Sequence, residues 1–565
     1  MDSDVPLGLD RCLFPFDPRH VPVYRFDLVV IGSGLAGGAA ALTAARAGLS
    51  VGLIAKASLG EGNTRYAQGG LAAVLAPEDS FEEHVADTLL VGCGLCERDA
   101  VELVVRGGPA AVEELVALGA EFDRGDGGEF ELSREGGHSR ARVTHAQGDS
   151  TGLEIQRSLA AAVAGNEHII TFPQTFAIDL LSDTHEGVAG VLCRTARGEH
   201  VAFGAANVLM ATGGSGQIFR ETTNPPVATG DGVAMAFRAG AEVRDLEFVQ
   251  FHPTCLYIAG AARVLISEIV RGAGGVLRDR HGRRFMPGAH PDAELAPRDV
   301  VSRAVFTRMV ETGDTNVYLD LSAIAGDPHV RFPGISRVCR VFGIDIARDP
   351  VPVRPGAHYQ VGGVAVDLDG RTSLPGLWAV GECASSGLHG ANRMGSNSLL
   401  EALVLGLRAG SALAGAGGEV GQPRSFGGAA PERRQRENLT QPVNIEDLVY
   451  SLKSMMWRQM GVARADSGMR EAVEKLGFWS RVVADLAEPG PKSWELYNML
   501  SVARLAAISA LAREESRGVH FRSDFPASAR DGDYHTRLAP VVQGARIDAV
   551  RIEREPVRRA QPAAS

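Results

Sequence analysis

Apolar and polar positions in this chain fall into blocks whose period changes. From Phe26 the sequence FDLVVIGSGLAGGAAALTAARAGLSVGLIAK runs through an apolar stretch at 28–31 and breaks at Gly32, Gly34 and Gly37. It continues alanine-rich and returns to a second apolar run at 51–55. Short apolar runs bounded by glycine predict buried strands, and the alanine-rich stretch predicts a helix, so the unit reads as strand, turn, helix, strand. A second run at 206–211 exits into Gly213, Gly214 and the sequence TGDG. A third, LPGLWAVGE, places Glu382 directly after a strand and ahead of the helix-forming GSNSLLEALVLGLRAG.

Three strand-to-glycine exits so far apart predict one nucleotide-binding sheet interrupted by an insertion. Elsewhere 81–119 reads as helical and 120–150 as a glycine-rich basic loop. Leu448, Leu452, Met455, Met456 and Met460 recur at helical spacing after a candidate cap at Asn444. Leu496, Leu500, Ala503, Ala507 and Leu511 recur the same way after Ser493. The predicted fold is α/β, a Rossmann-like domain interrupted by an α+β capping domain and followed by a C-terminal helical bundle. The expected boundaries are a lead-in at 1–25, the dinucleotide domain at 26–246 and 354–425, a cap at 247–353, a three-helix domain at 426–530 and a frayed tail at 531–565. A linker of glycine, proline and charge is read at 415–438.

Composition narrows the function classes. At 565 residues, 45% of them hydrophobic, the chain can bury several cores, and 68 glycines fit many close backbone approaches. A net charge of -11 argues against nucleic acid or an anionic membrane as partner. No apolar run reads as long enough to cross a bilayer, and the N-terminus has no signal-type pattern, so a cytoplasmic protein is expected. Seven cysteines, an odd number, fit a reducing compartment. Cys93 and Cys96 have metal or redox spacing, but no second pair follows, and no metal is expected.

The glycines of the opening unit have a physical purpose: Gly32 permits a tight turn, Gly34 lets the backbone approach a pyrophosphate, and Gly37 lets helix and strand pack closely. Ser33, Leu35 and Ala36 complete that turn. The polar segment 57–74, with Asn63, Thr64, Ala67, Gln68, Gly69 and Gly70, reads as a loop that wraps a cofactor. Where a ribose-binding carboxylate is expected, the second strand ends instead in Lys56, either a cofactor contact or a solvated strand-end charge. Glu135 stands beside Gly136, Gly137 and His138, with Arg140 and Arg142 following, as in a loop that reaches a ligand. Arg298 follows Pro297 at a predicted helix start, which favours anions. Arg271, Arg278, Arg280, Arg283 and Arg284 read as a source of positive field, most of them at the surface.

Together GSGLAGG, NTRYAQGG, ATGG, TGDG, QFHPT, LAPRD, AHYQVGGV, VGE, LHGANRMGSNSLLEA and ESRGVHFRSDFP resemble the flavoprotein family of succinate dehydrogenase, fumarate reductase and L-aspartate oxidase, over residues 26 to about 530. The resemblance implies bound FAD, with Asp231, Glu382, Ser398 and Leu399 lining it alongside Lys56 and the Asn63 loop. It implies that Gln250, His252, Ser267, His358 and Arg393 surround the substrate carboxylates. Ser267 departs from the usual threonine but keeps the hydroxyl. Arg298 would clamp substrate charge and deliver a proton in the reducing direction.

Two positions separate the branches of the family. Asn63 occupies the place of a histidine that binds flavin covalently in the respiratory enzymes, so noncovalent FAD is expected. Glu135 replaces a phenylalanine, and a carboxylate can grip the ammonium that distinguishes aspartate from succinate. The resemblance thus implies oxidation of L-aspartate to iminoaspartate by hydride transfer to FAD. Oxygen, giving hydrogen peroxide, or fumarate would be the acceptor, and quinolinate synthase would take the product toward NAD. A monomer or homodimer without nucleic-acid or membrane partners is expected. The alternative is the flavoprotein subunit of a fumarate reductase or succinate dehydrogenase.

Overall fold

A computed structural model of the chain describes residues 3–14, 21–182, 187–416, 443–486 and 490–558. The strand Val23–Ile31 lies inside a seven-stranded sheet. Val51–Ile54 and Ile169–Phe172 run parallel on one side and His200–Met210 on the other. Leu377–Ala379 pairs with the end of His200–Met210, while Val188–Arg194 and Phe176–Ser182 add an antiparallel flank. Met210 is in register with both Ile31 and Ala379, so all three glycine exits open at one edge of the sheet. Ligands of open parallel sheets bind at that carboxyl edge.

The helix Leu35–Arg46 covers this sheet, and the long helix Asn397–Gly415 lies against it. Their approach is close enough that a Cβ on Gly406 would sit 2.7 Å from the Ala36 carbonyl oxygen, and one on Gly410 2.6 Å from that of Ala40. The expectation that no apolar run could span a bilayer misses this second helix, which has the length and a mean hydropathy of 1.3 to qualify. More than half of that stretch is buried in the protein, because the helix forms one wall of the nucleotide-binding core.

Between the halves of this domain, Val264–Leu265, Val249–Leu256, Val351–Gln360, Val317–Asp320 and Val276–Arg278 form a five-stranded antiparallel sheet. It has its own core, including Val301, Val305, Leu319 and Val353. The boundary read at 353/354 falls inside the strand Val351–Gln360, which carries the cap's last turn of chain back into the nucleotide domain. The helices Ile445–Gln459, Asp466–Ala484 and Pro491–Ala512 pack together as the helical stripes predict. Asn444 does cap the first of them, accepting from the N–H groups of Glu446 and Asp447. Most of the linker read at 415–438, and the boundary at 425/426, lie outside the described residues.

Both chain ends differ from expectation. The lead-in contains the strand Ser3–Asp10, and the supposed tail contains the hairpin Tyr534–Gln543 and Arg546–Pro556. All three join one sheet with Val243–Arg244. The hairpin strands pair with each other locally, but the sheet that holds them is completed by partners hundreds of residues away, which no local pattern announces. An ion cluster locks the hairpin: His535, fully buried, contacts Asp245 at 2.5 Å through Nδ1 and Glu97 at 3.2 Å through Nε2. Burial pulls this imidazole down, but the two carboxylates more than offset it and push it up to about 9.

A histidine raised above its unfolded value stabilises the fold fully below that value and loses the effect as pH climbs through the folded one. The thermal midpoint is therefore expected to drop by on the order of a few degrees between about pH 6.5 and 9. His535→Gln should be less stable at neutral pH and lack that drop. An unchanged slope in differential scanning calorimetry would remove His535 from this role.

Candidate active site

One cleft runs from the glycine exits of the parallel sheet to the inner face of the cap. It is lined by Gly32, Ser33, Gly34, Leu35, Ala36, Lys56, Asn63, Thr64, Ala67, Gln68, Gly69, Gly70, Asp231, Glu382, Ser398 and Leu399. At its other end stand Glu135, His252, Ser267, Arg298, His358 and Arg393. Two residues expected in the site are not on its wall. A Cβ on Gly37 would lie 2.0 Å from the Gly32 carbonyl oxygen, so this glycine permits the helix to pack onto the turn and does not face the cleft. Gln250 sits behind the arginines.

The nucleotide end fits FAD. Gly32 has φ +115°, and a Cβ there would collide with the Ala211 carbonyl oxygen at 2.1 Å. The helix Leu35–Arg46 starts at Gly34 with no acidic residue in its first turn; Thr64 Oγ1 accepts the Leu35 N–H at 3.1 Å, and the rest of the first turn is left for a pyrophosphate. The buried oxygens Asn63 Oδ1 and Gln68 Oε1 lack partners among the described residues, as groups reserved for a ligand would. Asn63 Nδ2 donates to Glu382 Oε2 at 2.5 Å, and Glu382 Oε1 accepts the Gln360 N–H at 3.0 Å. Burial pushes Glu382 up to about 7. Lys56 is no solvated strand end: its ammonium contacts Asp231 at 2.7 Å, with Thr229 and Glu495 beside it.

At the cap end of the cleft the elements aim donors inward. Gln250 and His252 stand two apart on the strand Val249–Leu256, hence on one face of the cap sheet. His358 comes from the neighbouring strand, its ring 5.2 Å from that of His252. Thr254 donates its N–H to His252 Nδ1 at 3.3 Å, which assigns the imidazole proton to Nε2, a buried atom without a partner among the described residues. Burial, together with Arg298 and His358, holds His252 well below the usual histidine range, and burial with Arg393 and Arg298 does the same to His358. Both are neutral donors suited to a carboxylate.

Arg298 is the first residue of the helix Arg298–Thr312, directly after Pro297. Its Nε donates to Glu268 at 2.7 Å and its Nη1 to Gln250 Oε1 at 3.1 Å. The same Gln250 oxygen accepts from Arg393 Nη1 at 3.2 Å, so one amide spaces the two guanidiniums. Arg393 stacks on Tyr359 at 4.6 Å, and burial with the nearby Arg298 pushes it down to about 10. Ser267 is buried at the cleft wall. Glu135 is only 2% exposed and accepts from Ser396 Oγ at 2.8 Å, while its Oε1 has no partner among the described residues. Burial and the like charge of Glu268 push Glu135 up. Glu268 itself is held low by Arg271 and Arg298 despite its burial.

Sequence reasoning missed Glu268, Tyr359 and Ser396, and did not separate Arg271 from its surface neighbours. That arginine is fully buried, 3.2 Å from Glu268, and is no surface residue. The i,i+3 pairing of Glu268 and Arg271 beside Ser267 is a signal that was available. Arg142 also departs from the ligand-reaching loop read around it: it is fully buried and bound to Asp79 and Asp87, a structural role. Arg140 pairs with Glu83 at the surface.

Comparison with known proteins agrees with this geometry. A family model described as FAD binding domain matches residues 27–399, and one described as Fumarate reductase flavoprotein C-term matches 450–563. The chain is 45% identical over 513 residues to an L-aspartate oxidase of Streptomyces coelicolor, covering 88% of each chain. It is 41% identical to one of Synechocystis, covering 93% of this chain and 98% of that one. Among solved structures it is similar to the quinol fumarate reductase chain FrdA of E. coli, with a TM-score of 0.87, 33% identity and coverage of 96% and 99%.

Proposed function

This chain belongs to the flavoprotein family of succinate dehydrogenase, fumarate reductase and L-aspartate oxidase, and we propose that Glu135 is what directs its site to an amino dicarboxylate. The protein is an FAD-dependent oxidoreductase that converts L-aspartate to iminoaspartate, with oxygen or fumarate as electron acceptor, in NAD biosynthesis. Bound FAD supplies the hydride acceptor for the substrate Cα. The protein's residues bind, orient and discriminate.

In this reading Arg298, Arg393, His252, His358 and Ser267 hold the two substrate carboxylates, and Gln250 fixes the spacing of the arginines. Arg298 also delivers the proton when fumarate is reduced, held in place by the carboxylate of Glu268 behind it. Glu135 receives the substrate nitrogen. Its elevated proton affinity brings it closer to that of an amine, which helps the nitrogen reach the deprotonated state whose lone pair assists hydride departure. Because an imine hydrolyses in water, the product is expected to pass promptly to quinolinate synthase. We place the enzyme in the cytoplasm, a setting consistent with seven free cysteines.

The observation that carries the reading is the burial of Glu135 in the cleft with one oxygen unpartnered beside two arginines. Adding L-aspartate anaerobically to the purified yellow protein should bleach the flavin absorbance, whereas succinate should do so far more slowly. No bleaching by aspartate would overturn it. Asn63 carries an amide, engaged with Glu382, in place of a nucleophilic imidazole, so acid precipitation should release essentially all the flavin into the supernatant. Flavin retained in the pellet would contradict noncovalent binding and revive the respiratory-subunit reading.

A further inference from the structure

Ser396 occupies the N-cap position of the helix Asn397–Gly415, where a serine ordinarily accepts a hydrogen bond from a first-turn N–H. It makes no such bond. Its backbone lies at φ 60°, ψ -4°, a left-handed conformation disfavoured for any residue with a Cβ. The helix thus forgoes its cap and the chain adopts a strained turn, while the buried hydroxyl donates to Glu135 Oε2 at 2.8 Å. The other oxygen, Oε1, lies on the side of Gly69 in the cleft wall and has no partner among the described residues.

The surrounding loop is pinned from three elements. His138 Nε2 bonds the Gly395 carbonyl oxygen at 3.0 Å, with Arg142 facing its Nδ1. Gln250 Nε2 donates to the Arg393 carbonyl oxygen at 2.6 Å, and Asn397 donates to Thr88 at 3.0 Å. A strained position so fully determined by its neighbours is one where function outweighs local preference.

We propose that Ser396 is a positioning residue for substrate selection: its hydroxyl engages one oxygen of Glu135 so that the other is presented to the substrate's amino nitrogen. This rests on the role given to Glu135 above. The same bond favours the ionised carboxylate. The charged groups facing Glu135 are Glu268 and Arg271 from the cap, Arg298 at its helix start and Arg393 from the loop. Glu268 raises Glu135, and Ser396 works with Arg298 and Arg393 against that rise.

Two variants of the holoenzyme separate this role from a backbone one. Ser396→Ala keeps the strain and loses the hydroxyl, whereas Ser396→Gly loses both. Each should lower kcat/KM for L-aspartate about tenfold more than that for fumarate reduction. Each should also move the acidic limb of the aspartate pH profile to higher pH, at unchanged flavin content. If the alanine variant does not fold, the glycine variant carries the test. Wild-type aspartate efficiency in Ser396→Gly, parallel loss of both activities, or an unmoved acidic limb would overturn the proposal. A wild-type enzyme indifferent to aspartate would instead overturn the reading on which it rests.

Discussion

Glu135→Gln is expected to lower kcat/KM for L-aspartate by roughly ten- to a hundredfold while fumarate reduction falls a few-fold at most. A hydrogen bond to a charged group contributes about 1.5–3 kcal/mol, and every 1.4 kcal/mol is tenfold in rate. The asymmetry follows from what each substrate offers Glu135. Aspartate carries an ammonium for the carboxylate to hold, whereas fumarate carries none, and Arg298 and Arg393 remain in the variant to receive the carboxylates of either. The amide therefore removes an interaction that only the amino acid makes.

The pH dependence has a fixed sign. Glu135 must be ionised to hold an ammonium, and it is pushed above its ordinary carboxylate value by burial and by Glu268. Aspartate efficiency should therefore fall as pH drops through that raised value, and Glu135→Gln should lack this limb. Steady-state kinetics with both substrates decide the matter. Equal loss of the two activities, or an acidic limb that survives the substitution, would show that Glu135 does not select the amine.

Arg298→Leu is expected to cost about a thousandfold or more in both directions. Its guanidinium lies between Glu268 and Gln250 and lines the cleft, so substrate charge would lose a fixed donor, a change worth about a hundred- to a thousandfold alone. The substitution also deprives buried Glu268 of one of its two cationic partners, and breaking a buried pair typically costs about 3–5 kcal/mol. Arg298→Lys keeps a charge but cannot reach two acceptors with a planar fork. It should fold more stably than the leucine variant and remain at least about a hundredfold impaired. Normal turnover in either variant, with flavin bound, would remove Arg298 from the site.

The glycines of the opening unit, the alanine-rich helix and the three apolar runs are local in sequence, and their physics is local: a strand, a tight turn and a helix start each depend on neighbours a few residues away. For that reason the nucleotide-binding sheet, the order of its exits, the Asn444 cap and the C-terminal helices were legible from residue pattern alone. Glu135 was legible too, though only beside a resemblance, because nothing in SREGGHS says which way its carboxylate points. The tertiary structure alone brought Glu268 and Arg271 under Arg298, set Gln250 between two arginines and turned Ser396 toward Glu135. It also paired Ser3–Asp10 with Arg546–Pro556 across the whole length of the chain. These are long-range contacts between groups whose charge and burial exist only once the chain has closed around them. Local periodicity carries the elements, whereas the environment that shifts a carboxylate or strains a serine is made by residues that sequence distance keeps apart.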